Sequence, residues 1–426
     1  MMTASVETLS SSPTTVKALT SAGGVEAWHV ESDVVPLIAV SFIFEGGSAH
    51  DPADKPGVAQ MLARLLDEGA GDYDSDAFQE RLAARAIELS FNAGNDALGG
   101  SLKTLVKHAD EAFELLRLAL AEPRFDQDSI ERVRAQTIAG LKYQQNDPGV
   151  MATRSFFEEG FAGHPYGRPT SGTPESVAAI TRDDLVAMHR AIIAHGRVKV
   201  AVVGAIGSDS LAGLLDKVFG SLPEAKALGI IEPATLQKIG SRIVVDLDVP
   251  QSVIRFGTPG IAWRDPGFIP AYVLNHILGG GAFTSRLFQE VREKRGLAYS
   301  VGTSLVSYRS AAMTWGYTAT KNERVVEALD VIAEEMAKLT SEGPSDEELQ
   351  KAKDYLIGSY ALGFDTSTKI AHTLAQIAFE GLGIDYIGRR NALVSAVTQA
   401  DIHKAAERIF GDGRMLTVIA GRPTGV

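Results

Sequence analysis

The stretch Ile180-Thr181-Arg182-Asp183-Asp184-Leu185 returns later in the chain as Val397-Thr398-Gln399-Ala400-Asp401-Ile402. In both stretches the Thr hydroxyl can accept a hydrogen bond from the first helical turn, and the Asp three residues on can accept one from the Thr backbone. This reciprocal arrangement, the capping box, predicts that one helix begins after Thr181 and another after Thr398.

The similarity continues beyond the two helix starts. Each helix leads into a Gly-Arg pair and then into an apolar strand that ends in Gly. The matched residues are all separated by 217 positions: Thr181 and Thr398, Gly196 and Gly413, Gly204 and Gly421. Two unrelated helix–turn–strand units are the alternative, but a cap, a turn and a strand at one constant shift indicate an internal repeat. We therefore predict two homologous domains, residues 20–222 and 241–423, joined by a linker at 223–240.

The hydrophobic pattern predicts a mixture of strands and helices. Strands are expected at Leu37–Phe44, Val198–Val203, Ile243–Leu247, Val253–Phe256 and Leu416–Ile419. Long helical patterns occupy Ala109–Ala121 and Asp128–Gln144. Strands and helices at irregular intervals favour the α+β class, with two homologous halves that each hold a mostly antiparallel sheet flanked by helices.

The composition excludes several classes of function. The chain has 41 Lys and Arg against 53 Asp and Glu, a net charge of −12, which disfavours nucleic acid and anionic membranes as partners. Cysteine is absent, so the chain has no disulfides, Cys-ligated metals or thiol nucleophiles. Met1 to Thr15 is polar, and no apolar run is long enough to cross a bilayer. We expect a soluble protein, cytoplasmic or periplasmic.

A helix that begins at Pro56-Gly57 has the spacing of a zinc-binding helix without its ligands. The apolar residues of 58–66 share one face, which leaves Gln60, Ala63 and Arg64 together at positions i, i+3 and i+4. In a His-x-x-Glu-His helix these positions hold two imidazoles and a water-activating carboxylate. An amide, a methyl group and a guanidinium cannot replace them. We therefore predict that this chain itself binds no metal.

Three segments resemble the M16 metallopeptidase family (pitrilysin/insulinase, mitochondrial-processing-peptidase-like). They are Pro56-Gly57-Val58-Ala59, Pro123-Arg124-Phe125-Asp126 and the block GGGAFTSRLFQEVREKRGLAYSV at 279–301. The resemblance is to an M16B-type subunit that lacks the zinc motif, and it implies the LuxS/MPP-like metallohydrolase fold. The family's further Glu ligand, on a later helix, would fall near Gly140. The degenerate zinc-motif positions are then Gln60, Ala63, Arg64 and Gly140.

A second candidate site lies within the 279–301 block. Its pattern predicts a helix over 285–294 that Gly296 ends in a left-handed turn, followed by a strand from Tyr299, so that Arg292 and Tyr299 could face one cleft. Taken alone, such an Arg usually pairs with a nearby Glu, and such a Tyr usually packs. The resemblance implies instead that Arg292 and Tyr299 bind the substrate backbone at the scissile carbonyl.

A third feature is the stretch Phe91 to Lys103, which contains Gly94, Gly99 and Gly100. It is expected to form an edge strand. Such a strand pairs with the substrate backbone in active members of the family, but glycines weaken that pairing.

These observations give one functional hypothesis and two alternatives. The chain is expected to be the zinc-free subunit of a heterodimeric peptidase, in which Arg292 and Tyr299 act on a peptide and a partner subunit supplies the zinc. One alternative is a non-proteolytic structural or assembly protein of the same fold. The other is a peptide-binding or chaperone-like homodimer.

Overall fold

The computed structural model describes residues 15–426, so the N-terminal polar stretch lies outside the described residues apart from Thr15. Two β-sheets with helices on their faces make up the fold, which confirms the α+β class. Within residues 15–426, no helix combines the length and the apolar composition that a membrane span requires.

Between residues 15 and 222, the first half contains one sheet and eight α-helices. Its strands are β1 (Lys17–Thr20), β2 (Glu26–Glu31), β3 (Leu37–Glu45), β4 (Glu88–Ala93), β5 (Ala97–Leu105) and β6 (Val198–Gly204). Its helices are α1 (Val58–Leu65), α2 (Ser75–Ala84), α3 (Ala109–Ala121), α4 (Gln127–Gln144), α5 (Pro148–Gly160), α6 (Pro174–Ala179), α7 (Arg182–Ile192) and α8 (Ser208–Leu215).

The second half repeats this plan with five strands and six α-helices. Its strands are β7 (Arg242–Asp246), β8 (Gln251–Pro259), β9 (Val301–Ser307), β10 (Ala312–Lys321) and β11 (Leu416–Gly421). Its helices are α9 (Phe268–Asn275), α10 (Val325–Ser341), α11 (Asp346–Tyr360), α12 (Ser367–Glu380), α13 (Tyr386–Ser395) and α14 (Gln399–Ile409). Two π-helical turns, His276–Gly280 and Phe288–Glu293, also belong to this half.

The two sheets have the same strand order. The first runs β1-β2-β6-β3-β5-β4 and the second runs β7-β11-β8-β10-β9. Each contains a single parallel pair, β2 with β6 and β7 with β11, and its other pairs are antiparallel. Apart from the additional strand β1, the two halves are therefore topologically equivalent, as the internal repeat predicts.

The repeated sequence forms the same local structure in both halves. Thr181 and Thr398 each close a capping box with the Asp three residues on. Gly204 and Gly421 both have a φ of 153°, and in each case an added Cβ would lie within 2.4 Å of an atom of the neighbouring strand. Glycine is therefore required at both strand ends.

Each sheet is covered on one face by a helix from the other half. Helix α5 packs on β8 and β11, and helix α12 packs on β3 and β6. Phe156 of α5 joins a buried cluster with Leu416 and Val418 of β11, whereas Leu374 of α12 joins one with Ala39 and Val203. The opposite faces pack on helices of their own half. The central strands are consequently buried on both faces, which explains their nearly continuous apolar sequences.

The segment 223–240 is extended and lies across both halves. Ser310 Oγ donates a hydrogen bond of 2.8 Å to the Ile231 carbonyl, and the Gln237 amide donates one of 2.8 Å to the Gly160 carbonyl. The proposed division at residues 222 and 241 stays a prediction. Helices α5 and α12 each pack on the sheet that lies on the other side of this division.

Candidate functional site

Helix α1 is held at its N-terminus by a buried carboxylate. Asp51 accepts hydrogen bonds from the backbone amides of Gly57 at 2.7 Å and Ala59 at 2.9 Å. Gly57 has a φ of 107°, which lets the chain turn into the helix. Burial raises the pKa of the Asp51 carboxyl to about 7, although the two amides favour its charged form. The start of α1 therefore depends on an acid that titrates near neutral pH.

The degenerate zinc-motif positions make contacts within the chain. Gln60 Nε2 donates to the carbonyl of Ala93, the last residue of β4. An Arg64 NH group donates to Thr137 Oγ1 of helix α4, at 3.2 Å. Ala63 is buried. Helices α1 and α4 thus lie side by side, but their facing polar side chains are already hydrogen-bonded to each other or to the sheet.

Gly140 lies on α4 one turn after Thr137. A Cβ built there would meet no atom within 4 Å, so the position is open. Within residues 15–426, no group of three or more His, Asp or Glu side chains is placed to hold a metal ion. The residues present at these four positions do not fit zinc, which requires imidazole, thiolate or carboxylate donors.

The structure brings Arg292 and Tyr299 together at the end of a short helix. The last turns, Phe288–Glu293, are π-helical, and Gly296 has a φ of 58° with its amide donating to the Arg292 carbonyl at 2.9 Å. This left-handed turn places Tyr299 beside the helix that it follows. Strand β9 begins at Val301 rather than at the predicted Tyr299, because pairing with β10 starts there.

The guanidinium of Arg292 lies against two aromatic rings. Its Cζ is 4.6 Å from the ring centre of Phe288 and 5.0 Å from that of Tyr299. Phe288 is buried, whereas Tyr299 is 85% exposed. Rings contact the faces of a guanidinium, so its N–H groups remain free to donate at the edges.

The carboxylates near Arg292 form no hydrogen bond with it. Glu290 is paired with Lys294 and Arg295. Glu293 forms an ion pair with Arg292, with 3.7 Å between Oε1 and Nε, which is beyond hydrogen-bond distance. Within the described residues, Arg292 donates no side-chain hydrogen bond, and none links the Arg292–Tyr299 pair to Gln60 or Arg64. The partly exposed guanidinium and the exposed phenol of this pair can both donate to a carbonyl oxygen that gains negative charge.

Comparison with known proteins identifies the family. Residues 30–174 match the family model described as Insulinase (Peptidase family M16), and residues 179–356 match the Peptidase M16 inactive domain. An uncharacterized zinc protease of Mycobacterium leprae is 30% identical over 331 residues, which cover 75% of this chain and 73% of the relative. The chain belongs to the M16 peptidase family.

Other M16 relatives extend this result over nearly the whole chain. The "non-peptidase homolog YmxG" of Helicobacter pylori is 27% identical over 84% of this chain and 83% of its own length. A crystal structure of a peptidase M16 inactive domain from Pseudomonas fluorescens superposes with a TM-score of 0.90 at 28% identity, and the match covers 96% of this chain and 98% of that one. The resemblance read from the sequence is confirmed, and with it the fold. Because residues 179–356 match the model of the M16 inactive domain, the chain is an inactive member of the family in that respect.

The edge strand expected in this M16 chain is shorter than the sequence suggests. The predicted stretch Phe91 to Lys103 is a hairpin in which β4 is the edge and β5 lies inside the sheet. Gly94 lies in the turn, and Gly99 and Gly100 lie in β5. The expectation that glycines weaken the edge was therefore wrong, since β4 contains none. They are needed in β5, where an added Cβ at Gly100 would approach the Phe42 ring to 2.4 Å.

Sequence reasoning missed the counterpart of the zinc-motif helix in the second half. Helix α9 follows β8 as α1 follows β3, and its continuation carries His276, whose ring stacks on Tyr355 of α11 at 4.9 Å. Burial lowers the pKa of His276. The signal was present, because Pro266-Gly267 before α9 repeats the Pro56-Gly57 before α1.

The glycine triplet 279–281 is closely packed. A Cβ at Gly279 would approach Thr303 Oγ1 to 2.6 Å, and one at Gly280 would approach Asn275 Nδ2 to 2.7 Å. These glycines end the π-helical turn against strand β9. The triplet therefore fixes the segment that leads to Phe283 and the Arg292 helix.

A cavity of about 860 Å³ lies elsewhere, between the end of α4, helix α5, the loop 165–174 and strand β8. Arg255 of β8 lines it and donates to Thr153 Oγ1 at 3.0 Å. Burial lowers the pKa of Arg255. Neither Arg292 nor Tyr299 lines this cavity. The Arg292–Tyr299 pair therefore lies outside this cavity.

Proposed function

We propose that this chain is the zinc-free subunit of a two-subunit M16 peptidase. In this assembly Arg292 and Tyr299 bind the peptide at the scissile carbonyl, and the chain forms half of the wall around the substrate. A partner subunit with the intact zinc motif would bring the metal and the water-activating residue. The observation that carries the proposal is the stacked, hydrogen-bond-free Arg292 beside an exposed Tyr299.

The contribution of this chain is electrostatic. Cleavage of a peptide bond builds negative charge on the carbonyl oxygen, and a guanidinium and a phenol can donate hydrogen bonds to it. The rings of Phe288 and Tyr299 keep the guanidinium in place before substrate arrives, so little reorganisation is needed during the reaction. No catalytic step within this chain requires a metal of its own.

The exposure of the pair supports the need for a second subunit. Tyr299 is 85% exposed, Arg292 is partly exposed, and neither residue lines the 860 Å³ cavity. Electrostatic stabilisation is strong only where water is excluded. A partner that covers this surface would supply that exclusion.

The proposal is tested by reconstitution. The chain is purified alone and together with a zinc-motif M16 relative from the same organism, and cleavage of fluorogenic peptides is followed. We expect no cleavage by the chain alone and cleavage by the pair. Cleavage by the chain alone, or none by the stable complex, would refute the proposal.

A second candidate function is supported by the name of one relative. The Helicobacter pylori protein is described as a non-peptidase homolog. A structural or assembly role, or peptide binding by a homodimer, would need the fold but not turnover. In that case the Arg292→Ala variant should keep its function. A stable homodimer in size-exclusion measurements that binds peptides without a partner would favour the peptide-binding form of this alternative.

A further inference from the structure

Arg255 lies in the wall of the cavity of about 860 Å³. It belongs to strand β8 of the second half and reaches helix α5 of the first half. Its Nε donates to Thr153 Oγ1 at 3.0 Å, and its terminal nitrogens donate to the carbonyls of Ile254 at 3.2 Å and Gly149 at 3.5 Å. All three acceptors are uncharged. The guanidinium is therefore held by hydrogen bonds, but within residues 15–426 it forms no ion pair.

The charge of Arg255 is only weakly compensated by its surroundings. Burial lowers the pKa of its guanidinium, although the Asp147 carboxylate attracts the charge. Asp147 is exposed and caps helix α5 by accepting a hydrogen bond from the Val150 amide at 2.9 Å. The other acidic side chain of the cavity wall, Glu158, is paired with Arg154 at 2.7 Å. Arg255 thus keeps N–H groups that could donate to a further anion.

Apolar side chains form another part of the cavity wall. They are Leu141 of α4, Met151 and Phe157 of α5, and Val245 of β7, and each is only partly buried. Cavities of roughly 300–1,000 Å³ with apolar walls and a few fixed polar groups are typical sites for small organic ligands. A guanidinium binds a carboxylate or a phosphate through two parallel hydrogen bonds. The cavity therefore has the features of a site for an anion with an apolar body.

Two features favour a carboxylate over a phosphate as that anion. The apolar wall cannot replace the water that a doubly charged phosphate would lose. In addition, a Cβ built on Gly149 would lie 3.1 Å from Asp147 Oδ1 and 3.1 Å from a terminal nitrogen of Arg255, so the two charged groups are neighbours. A ligand bound to Arg255 would consequently be repelled by Asp147, and a single negative charge is repelled less than two.

We propose that this cavity binds an apolar carboxylic acid, with the carboxylate on Arg255 and the apolar body against the apolar wall. Two sources have this chemistry: the C-terminal carboxylate of an apolar peptide and a free organic acid. The inference goes beyond the proposed function, because neither Arg292 nor Tyr299 lines the cavity.

The test compares each acid with its amide, which has nearly the same shape but no charge. The acids are N-acetyl-Ala-Leu-Leu and hexanoate, and they and their carboxamides are titrated into the full chain by isothermal titration calorimetry. At least one acid should bind about tenfold more tightly than its amide. A preference shown only by the peptide assigns the site to peptide C-termini, and one shown only by hexanoate assigns it to free acids. If neither acid binds more tightly than its amide, the proposal is refuted.

Variants assign the preference to the guanidinium. In Arg255→Met the preference should fall to about twofold or less, because Met is also long and unbranched but carries no charge. Arg255→Lys should recover only part of the preference, since an ammonium lacks the planar fork. The matched control is Arg242→Met, which makes the same substitution in strand β7 of the same sheet, outside the cavity. That variant should keep the full preference. Circular dichroism and thermal unfolding confirm that each variant is folded.

A further variant separates binding from the contact that Arg255 makes between the halves. Thr153→Val removes the hydroxyl that accepts from Arg255 Nε and leaves the guanidinium in the cavity. It should lower the free energy of unfolding and keep most of the preference. If Thr153→Val and Arg255→Met lose the preference equally, the effect comes from the contact between the halves, and the role of Arg255 in binding is refuted.

Inorganic phosphate tests the choice of a carboxylate. Added to the complex with the preferred acid, it should compete at least about tenfold more weakly than the acid itself, because of the apolar wall and the neighbouring Asp147. If phosphate competes as strongly as the acid, the cavity binds anions in general, and the assignment to carboxylic acids is wrong.

Discussion

The α1–α4 surface and the Arg292–Tyr299 surface both carry an arginine, but they use it differently. In the first, Arg64 donates to Thr137 and Gln60 donates to the Ala93 carbonyl, so the polar groups are satisfied within the chain. In the second, Arg292 lies against two rings and forms an ion pair with Glu293 at 3.7 Å, but within the described residues its side chain donates no hydrogen bond. A donor that already has a partner gains little from a ligand. The polar groups of the first surface therefore contribute to the fold, whereas the guanidinium of the second keeps donors that the proposed peptide could use.

The largest expected effect comes from giving the first surface its missing ligands. A variant with Gln60→His, Ala63→Glu, Arg64→His and Gly140→Glu should change from no bound zinc to about one ion per chain, as measured by elemental analysis after dialysis. The reason is that α1 and α4 already lie together and Gly140 has open space around it. The matched triple variant that keeps Gly140 should lose its zinc. If the fourfold variant folds but binds no zinc, helices α1 and α4 do not hold these four positions in the geometry of a zinc site.

Removing the arginine of the second surface should have the next largest effect. In the complex with its partner, Arg292→Ala should lower kcat about 10²- to 10³-fold, because the charged carbonyl loses a donor. Arg292→Lys should recover only part of this loss, since an ammonium lacks the planar fork that stacks between rings. Arg295→Ala is the control, because Arg295 is paired with Glu290. If Arg295→Ala lowers kcat as much as Arg292→Ala does, the effect comes from the general loss of positive charge rather than from carbonyl binding.

The free energy of unfolding should depend on pH through Asp51, which lies at the start of helix α1 in the first surface. The pKa of this carboxyl is raised to about 7 in the folded protein, above its unfolded value of 3.8, so its contribution is full below pH 4 and is lost as the pH rises through 7. Relative to Asp51→Asn, the wild type should lose about 3 kcal/mol of unfolding free energy between pH 5 and pH 8. Urea unfolding at both pH values measures this. A constant difference between the two proteins would contradict the role of Asp51.

The smallest effect should come from one hydroxyl group. Tyr299→Phe keeps the ring beside Arg292 and removes only the phenol donor, so kcat should fall about tenfold, the usual size for a neutral hydrogen bond. Tyr299→Ala removes both the ring and the hydroxyl group, so its kcat should fall further. Equal activities of Tyr299→Phe and the wild type would leave carbonyl binding to Arg292 alone.

Much of the fold could be predicted from local signals. The capping boxes at Thr181 and Thr398 depend only on residues within one turn, so they are visible in the sequence. Helix α3 has the predicted bounds, and α4 begins one residue earlier than predicted. The absence of ligands at Gln60, Ala63 and Arg64 also needs only the sequence and a known spacing.

The remaining features depend on contacts between distant segments. An apolar helix face shows that α5 and α12 are packed, but not that each covers the sheet of the other half. The stack of Arg292 between Phe288 and Tyr299 depends on the π-helical turn, which has no sequence signal comparable to a cap. The His276–Tyr355 contact joins segments 79 positions apart (355 − 276) through tertiary packing. For these reasons, the sequence and its resemblance to the M16 family indicated the candidate residues but not the residues that they contact.

The exchange of helices between the halves sets an order for folding during synthesis. Helix α5 ends at Gly160, yet strand β11, which it covers, begins at Leu416, ten residues before the last residue of the chain described here. The outer face of the first sheet likewise stays uncovered until α12 has been synthesised. A nascent chain on the ribosome must therefore carry the apolar face of α5 uncovered until β11 follows, so neither sheet can be covered on both faces while its own half is the only one made.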